Sequence, residues 1–193
     1  MRNANHRGTA VWTHRLLTAV ERTIGDDGMA DVAQLARILA RAPWWEGCPT
    51  ADDTAFGGTG NDYRRVSLRD ANDCSALLIA WPPGHVTPIH DHDGLWGIEL
   101  VLDGVLQVES FTMTVTPALQ LVPRDVTLLG VGDHTTFTEN DYAHRCTNLS
   151  AQRPALSLHI YGGMLERYRA YGKDATGCWD STPQRAELES ANP

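Results

Sequence analysis

From Tyr63 onward the chain is cut into short β-prone runs separated by Gly, Pro and Asp: YRRVSL, SALLIAW, TPIHDH, WGIELVLDGVLQVESFTM, LQLVP, VTLLGVG, HRCTNL and ALSLHIYG. Many short strands with turn residues between them bury their apolar faces by closing into an antiparallel barrel or jelly roll. The predicted fold class is therefore mostly β. LDGV carries the Asp-Gly pair of a tight hairpin turn. Ahead of the β region, residues 9–24 place Val11, Trp12, Leu16, Leu17, Val20 and Ile24 on one helical face. GDDG then breaks the helix. A second helix is expected over roughly 29–42, through Val32, Leu35, Ala36, Ile38 and Leu39, with Pro43 ending it. Residues 46–61 read as loop, and the stretch from about Lys173 reads as irregular and polar. A length of 193 residues suits one domain, with a helical N-terminal segment (1–45) packed against a β-barrel core (60–172).

The net charge of −8 argues against a nucleic-acid partner, which needs a basic surface, but a local arginine can still bind a small anion. No apolar run approaches the roughly 20 residues of a membrane span. MRNANHRGTAVW lacks the apolar core of a signal peptide. Cys48, Cys74, Cys146 and Cys178 form no CxxC and read as reduced thiols. The expectation is a cytoplasmic protein with no membrane partner, a monomer or a weak homo-oligomer.

His90 and His92 are two residues apart in a β-prone run, and i and i+2 of a strand point to the same side. Gly84 stands six residues before His90, Gly104 closes the next predicted hairpin, and HRCTN supplies His144 and Asn148 downstream. This resembles the two cupin motifs, G-x5-H-x-H-x3-4-E-x6-G and one that ends H-x3-N, although TENDYA replaces the Pro- and Gly-bearing start of the second. The resemblance implies a cupin jelly-roll barrel with a metal on His90, His92 and His144. Counting back seven from Gly104 reaches Gly97, where most metal-binding cupins carry a carboxylate ligand. Glu99 lies two residues on, with the same facing, but its spacing sets it apart from the ligands. Three neutral imidazoles would leave a divalent ion its full charge and up to three open positions, and they suit Fe, Zn, Cu or Ni. His6, His14, His85 and His134 are read as non-ligands. His85 has odd spacing from His90 and should face the other way.

In ALSLHIYG, Ser157, His159 and Tyr161 share one face of a strand, and Leu156, Leu158 and Ile160 share the other. A polar row on an inner face is costly unless its members bond one another, and a histidine can bridge two hydroxyls. Three histidines with this row resemble the cysteine dioxygenase family of thiol dioxygenases, over roughly residues 60–172. The resemblance implies one non-haem Fe(II) per chain on His90, His92 and His144. It makes Ser157, His159 and Tyr161 a relay and implies addition of both atoms of O2 to a small thiol, giving a sulfinic acid. Animal members link a cysteine at the position of Gly97 to the active-site tyrosine; here Tyr161 should remain a free phenol.

L-cysteine is the first candidate substrate, since Tyr63 and Arg65 match the spacing of the tyrosine and arginine of the cysteine-specific branch. Arg64 should point outward. The related 3-mercaptopropionate branch places its carboxylate arginine after the Ser-His-Tyr strand, where this chain has Arg167 and Arg169. Mercaptosuccinate, needing two carboxylate partners, is a further alternative. Metal-dependent lyases and isomerases on this barrel usually keep the glutamate and lack the Ser-His-Tyr row. Non-catalytic ligand-binding cupins often lose the histidines and carry a DNA-binding helix pair. The helices here show no recognition-helix pattern and should pack on the barrel.

Overall fold

Every residue of β2 (Ser75–Trp81) and β9 (Ala155–Tyr161) is buried, so both faces of these strands are covered. The computed structural model shows what covers them; it describes residues 2–24, 30–53 and 62–190. On one face Ala76, Leu78, Ala80, Leu156, Leu158 and Ile160 join a cluster with Trp12, Leu16, Val20, Leu35 and Leu39. The latter belong to the two helices, α1 (Arg2–Glu21) and α2 (Val32–Leu39), which lie on the outside of the sheet. Asp31 caps α2 by accepting from the Gln34 backbone N–H at 2.8 Å. A short 3-10 turn (Ala42–Trp44) follows, and Trp12 ties α1 to it by donating Nε1–H to the Ala42 carbonyl at 2.9 Å. The GDDG break and residues 54–61 of the expected loop lie outside the described residues.

The remaining strands are β1 (Arg64–Asp70), β3 (Ile89–His90), β4 (Gly97–Asp103), β5 (Leu106–Thr114), β6 (Gln120–Leu129), β7 (His134–Phe137), β8 (Tyr142–Asn148), β10 (Arg167–Lys173), β11 (Trp179–Arg185) and β12 (Glu189–Ser190). They form two six-stranded sheets, ordered β12-β1-β2-β9-β4-β7 and β11-β10-β3-β8-β5-β6. All pairs are antiparallel except β1 with β12. The inner faces meet in a second cluster, with Leu77, Ile79, Trp81, Val101 and Tyr161 from one sheet against Val108, Tyr142 and Cys146 from the other. This is the expected mostly-β jelly roll with helices packed against it.

Three local expectations are corrected. Asp103-Gly104 makes a turn but not a hairpin, because β4 pairs with β7 and β9 while β5 pairs with β6 and β8. The turn carries the chain from one sheet to the other. Gly104 has φ +85°, and a Cβ there would lie 2.7 Å from that of Ala155. LQLVP and VTLLGVG are parts of one ten-residue strand, β6. Its polar middle, Pro123 to Asp125, sits on an exposed sheet edge, where proline is tolerated and alternation is not required. The stretch from about Lys173 is not irregular: β11, which contains Pro183, pairs with β10 and forms the outer edge of one sheet, and β12 pairs with β1 in the other. An exposed edge strand buries too little to leave a period-two pattern in its sequence.

Asn148 explains why H-x3-N matters for the fold. Its side-chain amide donates to the carbonyls of Trp81 (3.2 Å), Pro82 (3.1 Å) and Arg153 (2.9 Å), and its oxygen accepts from Ser150 N–H at 3.0 Å. It therefore pins the end of β8 to the end of β2 and to the approach to β9. Asn148→Ala should cost about 2–3 kcal/mol, because buried carbonyls lose their donor. Urea denaturation checks this, and a change below about 0.5 kcal/mol would contradict it.

Candidate metal centre

The register of β3 on β8 sets His90 opposite His144, with ring centroids 4.6 Å apart. β3 is only two residues long, so His92 lies beyond it, on the loop that follows. Asp91 holds that loop to β10, accepting from the Arg169 backbone N–H at 2.8 Å and from the Tyr171 hydroxyl at 2.5 Å. The Phe137 ring stacks on His92 at 4.5 Å. His92 thus comes within 5.2 Å of the His90 ring and 4.9 Å of the His144 ring. One candidate ligand atom from each histidine lies within 4.8 Å of the other two. The side chain of His6 lies outside the described residues.

The donor set fits a metal ion. His90 donates Nδ1–H to the Pro88 carbonyl at 3.0 Å, which leaves Nε2 proton-free. Both ring nitrogens of His92 and Nε2 of His144 are buried without a hydrogen-bond partner. Burial, with His144 adding to it, pushes His90 down to about 3 and holds His92 well below the ordinary imidazole range. Neutral imidazoles with unpartnered lone pairs are costly to bury, and a divalent ion held by three of them removes that cost.

The structure also shows why the cupin carboxylate is missing at its usual position and what stands nearby. A Cβ on Gly97 would lie 2.1 Å from the Phe137 ring, so the aromatic ring fills the space of a side chain there. Glu99, which the spacing argument sets apart from the cluster, is buried against it. β4 pairs with β9 so that Glu99 is opposite His159, and its Oε1 is 3.3 Å from both His159 Nδ1 and His144 Nε2. Oε2 accepts from the Cys146 thiol at 3.8 Å. Burial works against the Glu99 charge, but His144 and His159 outweigh it and hold the carboxyl well below its usual range. Burial and then Glu99 push the Cys146 thiol well up, so it stays a donor.

On β9, Ser157, His159 and Tyr161 all face inward. Trp81 donates Nε1–H to Ser157 Oγ at 2.7 Å. The Ser157 hydrogen is then free for His159 Nε2 at 2.8 Å, which puts the histidine's own proton on Nδ1, facing Tyr161 Oη at 3.1 Å. Tyr161 accepts there and keeps its hydrogen to give elsewhere. Burial and then Glu99 raise its pKa well above the usual phenol value, so it remains protonated. Its ring lies 5.0 Å from that of His92. Trp81 was not singled out from sequence, yet β2 pairs with β9 and alternation already set it on the inner face with Leu77 and Ile79.

A positive group borders the cluster. Arg65 Nε donates to the Tyr63 hydroxyl at 3.2 Å, and the guanidinium lies 5.3 Å from the Tyr168 ring, itself 5.7 Å from His90. Burial disfavours the Arg65 charge, but the neighbouring Tyr63 hydroxyl outweighs it and the group stays charged. Arg64 points outward, paired with Glu189 at 2.6 Å. His85 does not join the triad; it stacks on Tyr63 at 4.4 Å and so supports the Arg65 partner. Arg167 and Arg169 are exposed, and Arg169 bonds Ser181 Oγ at 2.7 Å. The residue between them, Tyr168, is the one that faces the site. It was not singled out because no strand was predicted over residues 167–173.

A model of the family "Cysteine dioxygenase type I" matches residues 59–174. Cysteine dioxygenase type 1 of Homo sapiens is 25% identical over 166 residues, covering 84% of this chain and 82% of the human protein. That of Bos taurus is 24% identical over 95 residues, covering 49% and 48%. Among solved structures, a conserved protein with a double-stranded β-helix domain from Klebsiella pneumoniae is similar with a TM-score of 0.44 and 17% identity, covering 58% of this chain and 86% of that one. The chain belongs to the cysteine dioxygenase type I family and is a thiol dioxygenase.

Proposed function

We propose that the substrate is a small thiol bearing a carboxylate, L-cysteine before 3-mercaptopropionate or mercaptosuccinate, and that the metal is one Fe(II) per chain on His90, His92 and His144. The reaction balances as R–SH + O2 → R–SO2H, so no further reductant is required. The observation that carries the reading is the flanking of one histidine cluster by two complementary groups: a charged guanidinium, Arg65, and a phenol held as a donor, Tyr161. Bound iron supplies the acidity that makes a thiolate and the electronic chemistry that O2 needs.

The protein residues bind, orient and exclude. Arg65 spends Nε on Tyr63, so the forked edge of its guanidinium is the part it offers to a carboxylate. Tyr63 is itself braced by His85 and by the edge of Trp81 at 5.3 Å. Tyr168 covers the guanidinium on the side toward His90. Tyr161 donates its remaining hydrogen to the substrate carboxylate or to the reacting oxygen. Ser157 and His159 act through it, by fixing which way its hydroxyl points. Phe137, Tyr142 and Val101 keep the space between the sheets apolar and dry.

Purified protein should hold about one iron per chain, and His144→Ala should lose most of it together with all turnover; iron content by elemental analysis that is unchanged in the variant would remove His144 from the ligand set. Tyr161→Phe should keep its iron, turn over more slowly and consume O2 in excess of the sulfinate made. Wild-type rate and coupling would refute the donor role. Arg65→Ala should lower kcat/KM for cysteine by roughly 30- to 1,000-fold, the cost of one charge-assisted pair in a partly buried site. Cysteamine, which has no carboxylate, should be much less affected. If Arg167→Ala or Arg169→Ala is the damaging change instead, and 3-mercaptopropionate the better substrate, the assignment of Arg65 and of cysteine is wrong.

A further inference from the structure

We infer that Glu99, aimed by Cys146, is a fourth protein donor to the metal, standing two residues along β4 from the position where other metal-binding cupins place theirs. The inference rests on the reading of His90, His92 and His144 as ligands and extends that set by a carboxylate.

The proton positions close on themselves. If His144 uses Nε2 for the ion, its proton is on Nδ1, which faces Cys146 Sγ at 3.8 Å. The Cys146 thiol donates in turn to Glu99 Oε2, also at 3.8 Å. This leaves His144 Nε2 and Glu99 Oε1 as the two atoms with lone pairs and no proton between them, side by side at 3.3 Å. His144 Nε2 has no hydrogen-bond partner although the carboxylate is that close. Two proton-free acceptors at that distance repel each other unless a cation lies between them. Two donors about 2.1 Å from one ion, at angles of roughly 90–109°, are about 3.0–3.4 Å from each other.

Charge and volume point the same way. Glu99 is only 4% exposed, and its nearest cationic candidates are His144 and His159, of which His144 gives its lone pair to the metal. A buried carboxylate without a counter-charge is strongly disfavoured, and a divalent ion supplies one. Phe137 blocks the usual carboxylate position by filling the space at Gly97. The next inward-facing residue of the same strand is Glu99, so the ligand is displaced by one strand step rather than lost. Glu99 groups with His144 and Cys146 within 4.8 Å, whereas the three histidines form a set of their own. Coordination therefore requires the carboxylate to turn about its terminal side-chain bonds toward His90 and His92. A six-coordinate ion then keeps two positions instead of three.

The deciding experiment is an anaerobic crystal structure of the iron-loaded protein, with metal affinity of the apoprotein measured by competition against a chelator. The expected result is a Glu99 oxygen at about 2.0–2.2 Å from the ion. Glu99→Gln, nearly the same shape, should weaken Fe(II) at least 10- to 100-fold. Cys146→Ala should weaken it less, by freeing Oε2. An ion on the three histidines with both Glu99 oxygens beyond about 3 Å overturns the proposal and leaves the three-histidine reading intact. An ion bound elsewhere overturns both.

Discussion

Imidazole nitrogens that are buried between two sheets and lack hydrogen-bond partners are the constraint around which this protein is organised. Left without a ligand they would cost stability, since no protein group among the described residues hydrogen-bonds the His92 ring nitrogens or His144 Nε2. The surrounding residues preserve the arrangement. Asp91 and Tyr171 fix the loop that carries His92, and the Pro88 carbonyl sets the His90 tautomer. Phe137 supports His92 on a face that only Gly97 leaves open. Each contact is ordinary, but together they keep proton-free donors converged before any ion arrives.

The two sheets contribute different chemistry. The one containing β3 and β8 supplies His90 and His144, with His92 on the loop after β3, and the one containing β1, β2, β4 and β9 supplies Arg65, the Ser157–His159–Tyr161 row and Glu99. Covering the second sheet with α1 and α2 allows β2 and β9 to be buried on both faces. Their inner residues can then be polar without exposing the strands to solvent from behind. The hydrogen-bonded row from Trp81 through Ser157 and His159 to Tyr161 is satisfied internally, which is what makes its burial tolerable.

The sequence made the barrel, the helix packing and the polar row of β9 legible because each depends on a local period that burial enforces. His90 and His92 were recognised from their alternation, although the structure ends β3 at His90 and carries His92 on a loop. Convergence there comes from the hold of Arg169 and Tyr171 on Asp91 and from the ring of Phe137, all distant in sequence. Strands with little burial were hard to read for the opposite reason: β6 and β11 lie at sheet edges and β10 beside β11 is largely exposed, so solvent rather than packing shaped their composition. That is why Tyr168 escaped notice and why Arg167 and Arg169 could not be separated from Arg65 by sequence alone. Glu99 shows the limit of motif spacing. A ligand position can be moved by one step along a strand when an aromatic residue from another strand takes the original place, and no pattern within β4 records the ring of Phe137.

The most direct test of thiol dioxygenation at this centre is isotopic. Iron-loaded protein is given L-cysteine under 18O2, and the product is analysed by mass spectrometry alongside O2 consumption. The account predicts cysteine sulfinic acid carrying two 18O atoms, with one O2 consumed for each sulfinate formed. Single labelling, or cysteine bound at the site without any oxygen uptake, would contradict it.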